Sequence, residues 1–282
     1  MKDESGIVLG IELSSRQGSL ALLKDGAVLA EKTWIGENVR HNVLFQTLET
    51  LLQETHLSYS DISLYAVGRG PGSFSGMRMS FAVAQALALP NQAAGVRGRE
   101  SAVFVKGYAE PQEDSDSKSA VGNQKSEIQI NPQSPISHPQ SEVRAVSSGA
   151  ALALAAAREG VKEIAVVGDA RRGQFWIGFF KVGQASSLSA CAQSRSSADR
   201  LEACPTLIED WKLIPYEELV VPEGTLVVSP EAERLTQYFP NLGAARFPLA
   251  SDVAALAVQQ AESEPLEPLY MHPPVFIEPK YS

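Results

Sequence analysis

Residues 66–78 of this 282-residue chain read AVGRGPGSFSGMR, a glycine-rich loop that lies between a predicted strand and a predicted helix. The apolar run before it, ISLYAVG (62–68), is typical of a buried strand, and the run after it, FSGMRMSFAVAQALAL (74–89), is apolar on nearly every side of a helix. A loop at the start of a helix commonly binds phosphate, because the first backbone amides of the helix have no partner within it. The stretch is therefore either an anion site or a tight turn.

The loop lacks both common phosphate-binding patterns. A P-loop requires a lysine and a serine or threonine after its last glycine, whereas Met77 and Arg78 follow here. The dinucleotide fingerprint is G-x-G-x-x-G, and this loop is one residue longer, G-x-G-x-x-x-G. We favour a tight strand-to-helix turn with Ser73 as the helix cap, with an anion at the helix start as the alternative.

Upstream of the loop, three apolar runs predict strands, and a leucine-rich segment predicts a helix. The strand candidates are IVLGIELS (7–14), SLALLK (19–24) and AVLAEKTW (27–34). Asp25 and Gly26 form a hairpin signal between the last two. In the segment 39–57, Leu44, Leu48 and two further leucines recur at helical spacing. Three strands, a helix, a strand and a helix predict a mixed sheet packed by helices, which is an α/β lobe.

Downstream, the composition changes between residues 110 and 142, where serine, glutamine and proline dominate and aromatic residues almost disappear. Such a segment buries too little apolar surface to offset its ordering entropy. We predict three parts: an N-terminal α/β lobe (1–90), a largely disordered insertion (91–142) and a C-terminal α/β lobe (143–282). We expect the last helix to pack back on the first lobe and a cleft to separate the lobes. A second Ser-rich tract (184–200) predicts a loop.

One strand assignment next to the insertion is open. Either AAGVRGRES (93–101) or EVRAVSS (142–148) could supply the strand that precedes the helix SSGAALALAAA. We favour the second, because the helix then follows in register. Beyond it, the sequence predicts two strands around a turn at 170–173, a strand TLVVS (225–229) and helices within 230–239 and 251–263.

Composition limits the classes of partner. The net charge is −9 and the isoelectric point is about 5.1, so the chain is a poor binder of nucleic-acid backbones on its own. The two cysteines match no metal or redox spacing. No segment approaches the roughly 18 apolar residues of a membrane span, and the N-terminus lacks the apolar run of a signal peptide. We expect a cytoplasmic protein without membrane contact.

No catalytic or metal site can be assembled by spacing. The histidines are His41, His56, His138 and His272, and none has a second histidine four residues away. No Ser/His/Asp pattern suggests a nucleophile. We expect His41 at a helix start or an interface. Asp169 and Arg171 lie on the predicted hairpin turn, where such a pair either fixes the turn or makes a polar contact with a partner.

Several segments, taken together and in order, resemble the bacterial TsaB (YeaZ) family. They are GIELSSRQGSLALLKDG (10–26), RHNVLFQTLETLL (40–52), VGRGPGSFSGMRMSFAVAQALAL (67–89), VSSGAALALAA (146–156), GDARRGQFW (168–176) and PLYMHPP (268–274). The resemblance covers nearly the whole chain apart from the insertion and the Ser-rich tract. Its most specific part is GRGPGSFSGMR. The last segment departs from the family, which usually has Leu-Arg where Met271 and His272 stand.

The resemblance implies a two-lobed fold of the actin/Hsp70/sugar-kinase (ASKHA) type, each lobe a mixed sheet flanked by helices. It also implies a non-catalytic subunit of the machinery that makes threonylcarbamoyladenosine (t6A) in tRNA. Such a subunit pairs with the catalytic paralogue TsaD and with the ATPase TsaE, and it forms a homodimer when TsaD is missing. It meets tRNA only indirectly, and it has no cofactor beyond weak nucleotide binding shared with the partner. The alternatives are an ATP-dependent sugar-kinase-like enzyme and a metal-free peptidase-like protein.

The resemblance also implies two sets of site residues. The helices at 38–55 and 74–89 match the family's partner-binding elements, and the expected interface residues are His41, Leu44, Leu48, Gly76, Met77, Phe81 and Ala84. Gly76 is expected to let a neighbouring helix approach closely. The alternative anion site comprises Glu12, Ser14, Ser15, Gly70, Gly72 and Ser73. Glu12 replaces the family's usual aspartate and is one methylene longer, which argues against nucleotide binding in this lobe.

Overall fold

The computed structural model describes residues 6–36, 43–89, 141–184, 203–239, 242–260 and 263–272. The segments Met1–Pro90 and Pro139–Ser282 belong to one compact unit. The predicted insertion up to residue 140, the Ser-rich tract from 185 to 200 and His41 lie outside the described residues. The predictions for them therefore stay predictions.

The first sheet has five strands in the order β3-β2-β1-β4-β5. The strands are β1 (Ile7–Glu12), β2 (Gln17–Lys24), β3 (Ala27–Ile35), β4 (Ile62–Gly68) and β5 (Glu142–Val146). The first three form an antiparallel meander, and β4 and β5 run parallel to β1. Asp25 and Gly26 have positive φ angles of 52° and 78°, as the predicted two-residue hairpin turn requires. The strand after the insertion is the favoured candidate, β5.

Two helices cover one face of this sheet. They are α1 (Val43–Thr55) and α2 (Phe74–Ala88). Side chains alternate across β1, so Leu9 and Ile11 point to these helices while Val8 points to the opposite face. The leucines of α1 and the apolar side of α2 bury against Leu9, Ile11 and Tyr65.

The opposite face of the first sheet packs on α5 (Ala250–Gln259), and α3 (Ser148–Arg158) packs on the second sheet. The two helices also pack on each other within one shared core. Both helices are rich in alanine, so the backbones come close: a β-carbon at Gly10 of β1 would overlap the carbonyl oxygen of Ala250. The described part of the chain therefore has two sheets with a helical layer between them. The α5 helix contacts both β1 and β2.

The second sheet follows the order β10-β6-β7-β8, and β9 also pairs with β7. Its strands are β6 (Glu163–Arg171), β7 (Gln174–Gln184), β8 (Ala203–Leu207), β9 (Lys212–Pro215) and β10 (Leu226–Val228), and a short helix α4 (Ala232–Leu235) follows. The β6–β7 hairpin was predicted, whereas β8 and β9 were missed because they are short and lack clear alternation. Strand β10 is parallel to β6, so this sheet is mixed as well.

None of the described helices combines the length and apolar character needed to cross a membrane.

Candidate functional site

The glycine loop folds against the turn that follows β1. A β-carbon at Gly72 would overlap the carbonyl oxygen of Ser14, and one at Gly76 would overlap that of Leu13. The Ser73 amide donates to the Ser14 carbonyl at 2.6 Å. Ser73 also caps α2 as predicted, since its hydroxyl oxygen accepts the Gly76 amide at 3.3 Å. The glycines are therefore needed for backbone-to-backbone contact within the chain.

Glu12 is fully buried at the end of β1. Its Oε1 accepts the Ser14 amide at 2.5 Å, and its Oε2 accepts the Ser148 hydroxyl at 2.6 Å. Burial raises the pKa of this carboxyl, and the hydrogen bonds from Ser14 and Ser148 oppose that rise only in part. The carboxylate thus binds two groups of its own chain and does not line the cavity described next.

A cavity of about 740 Å³ opens where the turn after β1, the start of α2, the β6–β7 turn, the residues around α4 and the segment 269–272 come together. Of the predicted anion-site residues, it brings together Ser14, Ser15, Gly72 and Ser73, and it adds Asp169 and Arg171 from the second sheet. Glu12 and Gly70 are not among the lining residues. The cavity is lined by residues next to strands of both sheets.

Arg69, from the middle of the glycine loop, anchors the C-terminal segment. Its Nε donates to the Glu267 carbonyl at 3.1 Å, and its Nη1 lies 3.2 Å from the Glu264 carboxylate. Its own carbonyl accepts the Leu269 amide at 2.7 Å. This arginine is almost completely buried, so it serves the chain internally. The segment it anchors forms one wall of the cavity.

Asp169 is the centre of a charged cluster on the cavity wall. It accepts hydrogen bonds from the Arg171 amide at 2.8 Å and from the Tyr216 hydroxyl at 2.9 Å, and it pairs with the Arg171 guanidinium at 3.1 Å. Glu231 accepts the Asp169 amide at 2.7 Å, and burial raises the pKa of Glu231. Asp169 and Arg171 therefore fix the hairpin turn, in which Arg171 has a φ of 65°, and they face the cavity as well.

An ion pair links two walls of the cavity. Arg16 of the turn after β1 forms two hydrogen bonds with Glu233 of α4, at 2.9 and 2.6 Å. His272 closes another side, where its Nε2 donates to the Ala170 carbonyl at 2.8 Å. Within the described ranges, no three His, Cys, Asp or Glu side chains are grouped as metal ligands would be.

Five of the side chains expected at the partner interface, all of them in the part of the chain that the structure describes, are buried inside the chain, which corrects the expectation that they face a neighbour. Their exposed fractions are small: Leu44 8%, Leu48 0%, Met77 1%, Phe81 5% and Ala84 0%. Most of them pack on the first sheet, and Met77 lies under Gly70 at the cavity. The space at Gly76 is filled by Leu13 rather than by another chain. Helical periodicity located an apolar face, but it cannot distinguish a face that meets a sheet from one that meets a partner.

A different set of α2 residues points outward. Phe74 is 56% exposed and Met79 46%, and Leu89 just after the helix is 70% exposed. Ala82 and Ala86 are exposed on the same helix. The Phe74 ring stacks on Tyr270 of the C-terminal segment, with 4.8 Å between centroids, and the Arg78 guanidinium lies 5.3 Å from the centre of the Phe74 ring. Sequence reasoning missed Phe74, Tyr270 and Arg69, although Arg69 lies in the quoted loop.

The sequence of the chain is similar to two kinds of protein. Residues 39–96 match the family model described as TsaD, tRNA N6-adenosine threonylcarbamoyltransferase. The tRNA threonylcarbamoyladenosine biosynthesis protein TsaB of Escherichia coli (strain K12) is 35% identical over 82 residues, which is 29% of this chain and 35% of that protein. The TsaB protein of Bacillus subtilis (strain 168) is 32% identical over 83 residues, again 29% of this chain and 35% of the relative. The matched segments thus span about a third of these relatives.

The fold is similar to solved structures over nearly the whole chain. YeaZ from Pseudomonas aeruginosa superposes with a TM-score of 0.60 at 22% identity, covering 94% of this chain and 99% of that one. A second structure, described as an uncharacterized protein with similarity to peptidase YEAZ from the same organism, gives 0.61 at 22% identity, covering 95% and 100%. With the two helix-flanked mixed sheets, this likeness confirms the predicted two-lobed α/β fold of the actin/Hsp70/sugar-kinase type. In sequence, the chain is therefore similar to TsaB proteins over about a third of their length, and in fold it is similar to the two YeaZ structures over nearly its whole length.

Proposed function

We propose that this chain is a non-catalytic subunit of the machinery that makes threonylcarbamoyladenosine in tRNA, and that it docks a TsaD-like catalytic paralogue through the outer side of α2. The observation that carries the proposal is the position of the exposed apolar residues. Phe74, Met79 and Leu89 all fall within residues 39–96, the segment that matches the TsaD family model. Large apolar side chains exposed along one side of a helix are a common feature of protein interfaces.

The chemistry of this surface favours a paralogue. The outer side of α2 combines an aromatic ring, a methionine and two alanines, and the only charged residue of the helix is Arg78. Small residues let a second helix approach, and methionine adapts its shape to the partner. A paralogue with a related pair of helices offers a matching surface. The same surface would serve a homodimer when the paralogue is missing.

The engagement of Glu12 supports the non-catalytic part of the proposal. An acidic residue that is to approach magnesium or phosphate needs an oxygen facing the cavity, whereas Glu12 is fully buried, is not among the lining residues and accepts hydrogen bonds from its own chain with both oxygens. We therefore expect no appreciable ATP hydrolysis and no threonylcarbamoyl transfer by the chain alone. With its net charge of −9, we also expect negligible affinity for tRNA at physiological salt, so that RNA contacts come from the partner. A TsaE-like ATPase is the further partner in this assembly.

The test is association with the TsaD-like paralogue of the same genome, measured by calorimetry. Ala82→Arg places a long cation in the middle of the outer side of α2, where it would clash or stay unpaired in a tight helix contact. We expect Ala82→Arg to weaken association at least a hundredfold while the chain stays folded by circular dichroism.

The matched control is Val220→Arg, which adds the same charge at a residue that is 81% exposed and lies outside the segment 39–96. It should bind as the wild type does. Normal association of a folded Ala82→Arg protein contradicts docking through α2, and a wild-type chain that binds no such paralogue contradicts the proposed function itself.

A further inference from the structure

The carboxylate of Glu12 connects three segments that are distant in the sequence. It holds the turn after β1 through the Ser14 amide and the start of α3 through the Ser148 hydroxyl. The Ser148 hydroxyl oxygen in turn accepts the Gly70 amide at 3.0 Å, and the Ser148 amide donates to the Gly70 carbonyl at 2.9 Å. The turn after β1, the glycine loop and α3 are therefore joined around one side chain.

Strand β4 leaves room for this carboxyl group because its last residue is a glycine. A β-carbon at Gly68, the last residue of β4, would overlap Oε2 of Glu12. The carboxyl group is fully buried, and each of its oxygens accepts a hydrogen bond from its own chain. A buried carboxyl group without hydrogen-bonding partners would be costly, and the Ser14 amide and the Ser148 hydroxyl reduce that cost.

The first turn of α2 rests directly on the segment that Glu12 fixes. The Ser14 carbonyl accepts the Ser73 amide, and the backbones at Gly72 and Gly76 contact Ser14 and Leu13. Phe74, the first residue of α2, follows the cap immediately. Any shift of the turn after β1 would therefore move the start of α2 and the exposed ring of Phe74.

We propose that Glu12 is a positioning residue for the α2 docking surface: its carboxylate holds the turn after β1 and, through Ser148, the glycine loop in the geometry that presents Phe74 outward. The inference deepens the proposed function and rests on it. An aspartate at this position is one methylene shorter, so we expect it to hold Ser14 and Ser148 together less well than Glu12 does. Ser148 shares the role, since it bridges Glu12 to Gly70.

The first test is hydrogen–deuterium exchange of the isolated full chain, comparing wild type with Glu12→Gln. Glutamine keeps the length but replaces one acceptor oxygen by an NH2 donor, so it cannot accept both the Ser14 amide and the Ser148 hydroxyl as Glu12 does. We expect exchange in peptides covering 12–15 and 68–77 to accelerate at least tenfold more than in peptides covering β6. The matched control is Val228→Ala, a truncation of a fully buried residue of β10 that lowers stability elsewhere. An acceleration spread evenly over the chain, as in that control, would overturn the positioning role.

The second test is affinity for the TsaD-like paralogue, at a temperature where all variants are folded. Glu12→Gln, Glu12→Asp and Ser148→Ala should each weaken association at least tenfold, whereas Val228→Ala should not. If the wild type binds and Glu12→Gln binds equally well, the inference is wrong while the proposed function stands. If the wild type binds no paralogue, the proposed function fails, and the exchange experiment still decides whether Glu12 positions α2.

Discussion

The α-carbon of Gly76 faces the carbonyl oxygen of Leu13 so closely that a β-carbon at Gly76 would overlap that oxygen. This contact joins the first turn of α2 to the turn after β1. A glycine is needed at position 76 because the chain packs on itself there. The sequence had suggested instead that Gly76 makes room for a helix of another chain. The glycine loop thus packs on the turn after β1 and supports the start of α2, from which the exposed residues project.

Replacing Gly76 by alanine should destabilise the protein. Alanine gains up to about 1 kcal/mol of helix propensity, but the overlap with a backbone oxygen requires a shift that costs about 1–3 kcal/mol or more. We expect a lower urea midpoint with an unchanged slope. Gly243→Ala is the control, because a β-carbon there meets nothing within 4 Å. Equal midpoints for the two variants would contradict the contact with Leu13.

Arginine at two nearby positions of α2 should have opposite effects on folding. Ala84 is completely buried against the first sheet, so Ala84→Arg places a charge in the core and should prevent stable folding. Ala82 is exposed, so Ala82→Arg should change the free energy of unfolding by no more than about 0.5 kcal/mol. Thermal unfolding followed by circular dichroism separates them. A stable Ala84→Arg protein would mean that α2 is oriented differently.

Arg69→Lys should loosen the C-terminal segment. Lysine cannot reproduce the fork that binds the Glu267 carbonyl and the Glu264 carboxylate, and the loss should cost about 1–3 kcal/mol because Arg69 is nearly buried. Chymotrypsin should then cleave after Tyr270 faster than in the wild type. Arg246→Lys, in an exposed pair with Glu159, should leave cleavage unchanged. Unaltered cleavage of the Arg69→Lys protein would show that other contacts hold the segment.

The stability of the protein should depend on pH through Glu12. Burial raises the pKa of this carboxyl in the folded state, so its contribution is complete below the ordinary glutamate value and is lost as the pH rises through the raised pKa. As the pH rises from the ordinary glutamate pKa to the raised pKa of Glu12, the free energy of unfolding of the wild type should therefore fall relative to that of Glu12→Gln. Urea titrations between pH 4 and pH 8 measure it. A difference that stays constant would mean that Glu12 titrates normally.

Most elements of the fold could be predicted from local patterns. Apolar runs and the Asp25–Gly26 turn indicated the meander, leucine spacing indicated α1, and Ser73 indicated the start of α2, because each signal lies within a few neighbouring residues. Strands β8 and β9 were missed, since short segments with little alternation become strands only by pairing with β7. The site was predicted less well. Ser14, Ser73 and Asp169 do line one cavity, but Glu12 was expected at an anion site and is instead enclosed by its own chain.

The sequence by itself determined most of the strands and helices, the acidic charge and the resemblance to one family, because composition, periodicity and motif are properties of the chain as written. Only the tertiary structure decided which side of α2 is buried, what fills the space at Gly76 and where Arg69 and Glu12 direct their polar atoms. Those choices depend on segments far apart in the sequence, such as Leu13 against Gly76 and Ser148 against Glu12. When a helix is apolar on nearly every side, its own sequence does not indicate which side contacts the sheet. In α2 that side is determined by how the helix packs on the first sheet.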